Sequence, residues 1–168
     1  ADINEMEVLG STDEVDVVVQ FDRISGDDTS NGDWTTTRRY YITRDSDTSI
    51  INSTLISDLG EKNMGDPQTL VDFVTWGMQN YPAQHYLLIL WNHGGGYKSL
   101  ARETRNTVLK DICWDDSSGG DALTMPDLQS ALSDIYSQTG KKIDILAMDA
   151  CLMAMLEVAY QIRDYVDY

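Results

Sequence analysis

The sequence predicts an α/β fold built on a mostly parallel sheet. Two observations carry that prediction. The apolar run His85-Tyr86-Leu87-Leu88-Ile89-Leu90-Trp91-Asn92 follows a helical pattern almost without a loop, and so does the run Ile143-Asp144-Ile145-Leu146-Ala147-Met148-Asp149. Helix handing directly to strand is the rhythm of parallel-sheet folds, because a crossover helix must cover the sheet between parallel strands. Each run also stops abruptly at a reactive side chain: His93, followed by Gly94, Gly95 and Gly96, and Cys151. If the two strands lie parallel, both side chains emerge at one sheet edge, an arrangement that suits a cysteine nucleophile with a histidine base.

The chain's 168 residues suffice for one domain with a sizeable core. Its longest apolar stretch is too short to span a bilayer, and no signal peptide pattern is visible. The formal net charge is −16, from 28 acidic and 12 basic residues. Nucleic-acid binding draws on Lys and Arg, so this balance argues against it. A negative field attracts basic substrates, although an acidic surface also serves solubility alone. The two cysteines, Cys113 and Cys151, allow one bridge at most and no disulfide framework. No Cys/His grouping has zinc-ligand spacing.

In chain order, Ala1 to Leu9 places Ile3, Met6 and Leu9 on one helical face, and Gly10 ends the pattern. Val15 to Phe21 reads as a buried strand. Asp22 to Asp33 is a polar loop with Asn31-Gly32 as its turn signal, and Arg38 to Arg44 is the returning arm of a hairpin. Asp27, Thr29, Asn31 and Gly32 partly imitate a calcium loop. Arg38 stands where the twelfth position needs an acid, so the segment is read as a solvated loop and no metal site is assigned. Ser49 to Leu59 carries Ile51, Leu55 and Leu59 at helical spacing and is read as a short helix or an extended linker.

Asp66-Pro67 opens a helix by cap and first-turn proline, with Leu70, Val71, Val74 and Met78 on its apolar face. Tyr97 to Asp111 lacks periodicity and holds Arg102, Arg105 and Lys110. Ile112 to Trp114 is a short strand, and Asp115 to Asp121 a second acidic loop. Thr124-Met125-Pro126-Asp127 is a capping-box signal for a helix whose apolar face is Leu128, Leu132, Ile135 and Tyr136 and which ends at Gly140. Leu152, Met155, Leu156, Ala159, Ile162 and Val166 form the stripe of a last helix, expected to run from Cys151 to the final residue.

That expected helix start would favour a thiolate at Cys151. The competing reading is a small buried core cysteine. The three glycines after His93 would let the backbone approach a ligand and aim N–H groups at an oxyanion, or else form a flexible turn. Asp149 lies two residues before Cys151, on the same side of an extended segment. Its carboxylate could bind a cationic substrate side chain, or could equally serve as a helix cap or salt-bridge partner. His-Gly-Gly-Gly also occurs in esterases, but the Gly-x-Ser-x-Gly elbow they require is absent.

The stretches Leu59 to Pro67, Leu88-Ile89-Leu90-Trp91-Asn92-His93-Gly94-Gly95-Gly96, Trp114-Asp115-Asp116, Leu123-Thr124 and Asp144 to Met153 resemble the clostripain family of cysteine peptidases. That family shares a fold with caspases, legumains, gingipains and separase. The resemblance implies a caspase-like three-layer α/β/α sandwich, here a partial domain spanning residues 1–168 and truncated at both ends. It implies a His93/Cys151 dyad, an oxyanion hole from the Gly94 and Cys151 amides, and Asp149 as the group selecting Arg or Lys before the cut. It implies a secreted or cell-surface bacterial zymogen that cleaves itself between histidine and cysteine, with Arg102, Arg105 and Lys110 as candidate sites. No cofactor is implied for the chemistry, while calcium enters consideration through the family. The expected partners are proteins or peptides carrying Arg or Lys, not nucleic acid or membrane. A catalytically silent caspase-like binding module is the alternative reading.

Overall fold

The computed structural model describes residues 2–97 and 111–168. The chain separates into two compact units, one reaching to Lys62 and the other beginning at Asn63.

The first unit opens with α1 (Asp2–Glu7) and continues through an antiparallel sheet of β1 (Val18–Phe21), β2 (Arg38–Tyr41) and β3 (Thr54–Asp58), in that order. Ile3, Trp34, Tyr40 and Ile42 form its core. Two guanidiniums lie over the Trp34 ring, Arg23 at 4.7 Å and Arg38 at 4.6 Å from its centre. Glu7 is fully buried, and its carboxylate accepts the Asn52 and Ser53 N–H groups at 2.9 and 2.6 Å. The hairpin pairs as its sequence suggests, Val18 opposite Tyr41. The segment from Ser49 to Leu59, read as a helix or linker, instead contributes β3. Pairing with β2 across a bulge at Arg39/Tyr40 overrides its weak helical spacing and leaves Leu55 and Ile56 exposed. In the loop after β1, the Asp28 carboxylate accepts the Ser30 N–H within the turn, and the Asn31 side chain accepts the Ile51 N–H from the segment before β3.

The second unit holds α2 (Pro67–Asn80), β4 (Leu87–Trp91), β5 (Ile112–Asp115), β6 (Asp121–Leu123), α3 (Met125–Thr139), β7 (Ile145–Asp149) and α4 (Leu156–Ile162). Both long helices start as their caps dictate. Asp66 accepts the Gln68 N–H at 2.9 Å, and Thr124 with Asp127 forms a reciprocal capping box. Gly140 closes α3 in the left-handed conformation. Leu70, Val71 and Val74 of α2, Leu128, Leu132 and Ile135 of α3, and Val158 and Ile162 of α4 meet Leu88 and Leu90 of β4 in one core.

β4 and β7 pair in parallel, Leu87 opposite Ile145 through Trp91 opposite Asp149. Beyond β7 a further parallel bridge joins Ile143 to Val166, and Tyr168 exchanges backbone hydrogen bonds with Asp144 and Leu146. The last helix therefore does not run from Cys151 to the end of the chain. Cys151 and Leu152 form a turn, α4 begins only at Leu156, and the residues after it run extended beside β7. Alternation along β4 buries Leu88 and Leu90 while Leu87, Ile89 and Trp91 remain exposed, so among the described residues one face of this strand pair is open.

Candidate active site

The parallel register sets the site. Trp91 and Asp149 are partners at the last rung of the β4–β7 ladder. His93 lies two residues beyond Trp91, and Cys151 two residues beyond Asp149. Both residues therefore leave the sheet at the same edge and the same level, and both side chains are exposed. His85 sits at the other end of its strand, with Nδ1 2.7 Å from an Asp144 carboxylate oxygen.

The two exits are pressed together. A Cβ on Gly94 would collide with the Cys151 carbonyl oxygen and lie 2.9 Å from Met153 Cγ and 3.0 Å from Ala150 Cβ. A Cβ on Gly96, itself at φ 66°, would lie 2.8 Å from Met155 Sδ and 3.1 Å from the Leu152 carbonyl. The glycines after His93 thus let its loop pack directly on the backbone of the cysteine loop. The sequence had suggested close approach to a ligand; the approach observed is to the protein's own chain.

Three non-glycine residues around the site adopt positive φ: Asn92 at 116°, Leu152 at 60° and Cys113 at 57°. Such conformations cost on the order of 1–3 kcal/mol each and cluster where geometry is imposed by surrounding structure. Two of them directly flank the candidate pair, before His93 and after Cys151. Composition offers no signal for them beyond the tolerance of asparagine for positive φ.

Cys151 and Cys113 are both free thiols, so the single bridge that two cysteines permit is not made. They differ sharply in surroundings. Cys151 is exposed, whereas desolvation pushes the Cys113 thiol up to about 12. Cys113 is accordingly a protonated, inert sulfur at neutral pH. The helix N-terminus expected to act on Cys151 is missing from that position, because α4 starts five residues later.

Asp149 is exposed at the open end of β7, on the same face as Trp91, which is 51 % exposed. A carboxylate paired in register with a half-exposed tryptophan brings negative charge and aromatic surface to one strand end, a combination that suits a cation.

The Asp115–Asp121 loop lies behind the β4 exit. Asp115 accepts the Met64 N–H at 2.8 Å through one oxygen and the Ser117 hydroxyl and Ser118 N–H through the other. Asp121 accepts from Asn63 and from the Ala122 N–H, and Asp116 from the Trp114 indole. Calcium needs six to eight oxygens free to turn toward it. The carboxylates of this loop accept hydrogen bonds from protein donors and form a clasp, and no step of the reaction proposed for the pair uses the ion. Arg102, Arg105 and Lys110, the candidate self-cleavage positions, lie outside the described residues.

Comparison with known proteins follows the same lines. The model of the clostripain family matches residues 1–168. Clostripain from Hathewaya histolytica is 45% identical over 109 residues, covering 61% of this chain and 19% of its own length. A secreted C11 cysteine protease from Bacteroides thetaiotaomicron, solved with an irreversible peptide inhibitor, superimposes with a TM-score of 0.69 at 23% identity, over 98% of this chain and 40% of that one. An inactive zymogen C11 protease from Parabacteroides distasonis gives 0.66 at 22% identity, over 98% and 40%. These solved relatives establish a caspase-like α/β fold. The chain spans about one fifth of the length of the curated relative and two fifths of the solved ones. Among the described residues, no helix is long and apolar enough to cross a membrane.

Proposed function

The chain belongs to the clostripain family, and from that premise we propose that the protein it represents is a cysteine endopeptidase cutting after Arg or Lys. The observation that supports this reading is the rung Trp91–Asp149, from which the segments carrying His93 and Cys151 leave at one sheet edge, with Gly94 against the Cys151 backbone.

In the proposed reaction the Cys151 thiol passes its proton to His93 and the sulfur attacks the carbonyl carbon of the peptide bond. The oxyanion that forms takes hydrogen bonds from the Gly94 and Cys151 N–H groups. His93 gives its proton to the leaving amine as the carbon–nitrogen bond breaks, leaving a thioester on Cys151. Water, deprotonated by His93, then hydrolyses the thioester and restores the free thiol. Asp149 holds the cationic side chain before the cut, and the net negative charge draws basic substrates toward the protein. Relatives described as secreted and as a zymogen support secretion and self-cleavage, the latter at Arg102, Arg105 or Lys110.

The test uses the full-length protein. Cys151→Ala should abolish cleavage of Arg and Lys peptides and leave the chain in one piece by mass spectrometry. Asp149→Asn should lose activity on both basic substrates, by about tenfold or more for a charge-assisted contact of roughly 1.5–3 kcal/mol. Cleavage retained by Cys151→Ala would exclude the mechanism. Undiminished cleavage after Arg and Lys by Asp149→Asn would exclude the pocket, and complete inertness of the parent would favour a binding module.

A further inference from the structure

The residue just before the candidate base carries an arrangement of its own. Asn92 adopts φ 116°, a conformation that usually calls for glycine. Its side chain is engaged as well: Nδ2–H donates to the Trp114 carbonyl oxygen at 2.9 Å, tying the end of β4 to β5. That carbonyl is available because β5 is bulged. Its pairing with β6 jumps from Ile112 opposite Leu123 to Asp115 opposite Asp121, and Cys113 sits at φ 57° within the jump. Cys113 and Trp114 fall between the paired positions, and the Trp114 carbonyl accepts from the Asn92 amide.

The anchor is itself held firmly. The Trp114 indole donates to Asp116 at 2.8 Å, and its ring packs so closely on Gly120 that a Cβ there would lie 2.6 Å away. The next residue, Asp115, is clasped by Met64, Ser117 and Ser118. A rigid bulge therefore grips an amide whose own backbone is strained.

We propose that Asn92 is a positioning residue for His93, its amide tether to the bulge of β5 holding the turn that presents His93 and Gly94 to Cys151. The proposal rests on the dyad reading above. Without the tether the Asn92 backbone is free to relax from φ 116°, and rotation there swings every atom that follows, His93 first. Displacing a catalytic group by about 1 Å costs around a hundredfold in rate. Substrate binding at Asp149 lies on the neighbouring strand and is left largely intact.

Two variants of the full-length protein separate the effects. Asn92→Gly keeps the backbone conformation accessible and removes the amide. Asn92→Asp keeps the size and shape and replaces the donor with acceptors. Both should lower kcat on an arginine peptide by about tenfold to a hundredfold, with KM changed by less than about twofold and the thermal midpoint near the parent value. Parent-like kcat in either variant overturns the proposal, as does a rise in KM at unchanged kcat. A loss of kcat matched by a fall in thermal midpoint in both variants assigns Asn92 to the fold and also overturns it. If Cys151→Ala keeps activity, the dyad reading has failed. If Cys151→Ala is inert while both Asn92 variants match the parent, only the positioning role has failed.

Discussion

Gly94 shows what the site demands of a single residue. Its α-carbon sits against the Cys151 carbonyl and the Ala150 and Met153 side chains. Gly94→Ala would force the histidine and cysteine loops apart, and overpacking of this kind costs about 1–3 kcal/mol. The variant should show a lower thermal midpoint and reduced cleavage together; an unchanged midpoint with full activity would mean the loops are not pressed together. At this scale the sequence marks candidate chemistry and carries little geometry. His93 and Cys151 stand out because an apolar run stops at each. Asn92, Cys113 and Leu152 do not stand out, because their positive φ is imposed by contacts that arrive from elsewhere in the chain. The glycine run was visible, but whether it faces a ligand or the protein depends on where the cysteine loop lies.

Among the elements, those with local start and stop signals were legible and those decided by pairing were not. α2 and α3 begin at caps written into a few adjacent residues, and Gly140 ends α3. Ile51, Leu55 and Leu59 fit helical spacing, yet β2 supplies the hydrogen bonds that make this segment β3. α4 begins later than its apolar stripe suggests for a similar reason. Leu152 and Leu156 look like parts of one stripe, yet both are exposed. The turn from Cys151 to Met155 is instead spent on packing against Gly94 and Gly96.

The clasp between the 63–66 segment and the β5–β6 loop yields a stability prediction. Burial alone would raise the Asp115 carboxyl, but hydrogen bonds from the Met64 N–H, Ser117 and Ser118 outweigh it and hold the group below the usual range. A carboxyl depressed in the folded state contributes stability that is present above its unfolded value, near about 3.9, and lost as pH falls toward its folded value. Acid unfolding should thus steepen below about pH 4 in the parent and flatten in Asp115→Asn. At neutral pH, Asp115→Asn should cost about 1–3 kcal/mol by thermal or urea unfolding, because buried donors lose their acceptor. Equal stability of variant and parent at pH 7 would show that the clasp contributes nothing.

For the whole molecule, the parallel rhythm and the shared sheet edge follow from the two helix-to-strand junctions, and the solved relatives share the fold. What the sequence concealed is the division into two compact units and the open face of the β4–β7 pair. Among the described residues, the helical core covers Leu88 and Leu90 of the run Leu87 to Trp91, and Leu87, Ile89 and Trp91 stay exposed. Across the molecule the two thiols are sharply distinguished, one exposed at the sheet edge and one shielded in β5.

That contrast provides the most direct measurement of the central claim, that His93 and Cys151 form one reactive pair. Full-length protein treated near pH 7 with a thiol-reactive arginine peptide, then digested and mapped by mass spectrometry, should carry the adduct on Cys151 and none on Cys113. His93→Ala should slow that labelling while a simple unfolding control leaves both cysteines equally modified. Absence of any adduct on Cys151, or labelling of Cys151 at the parent rate in His93→Ala, would contradict the pair.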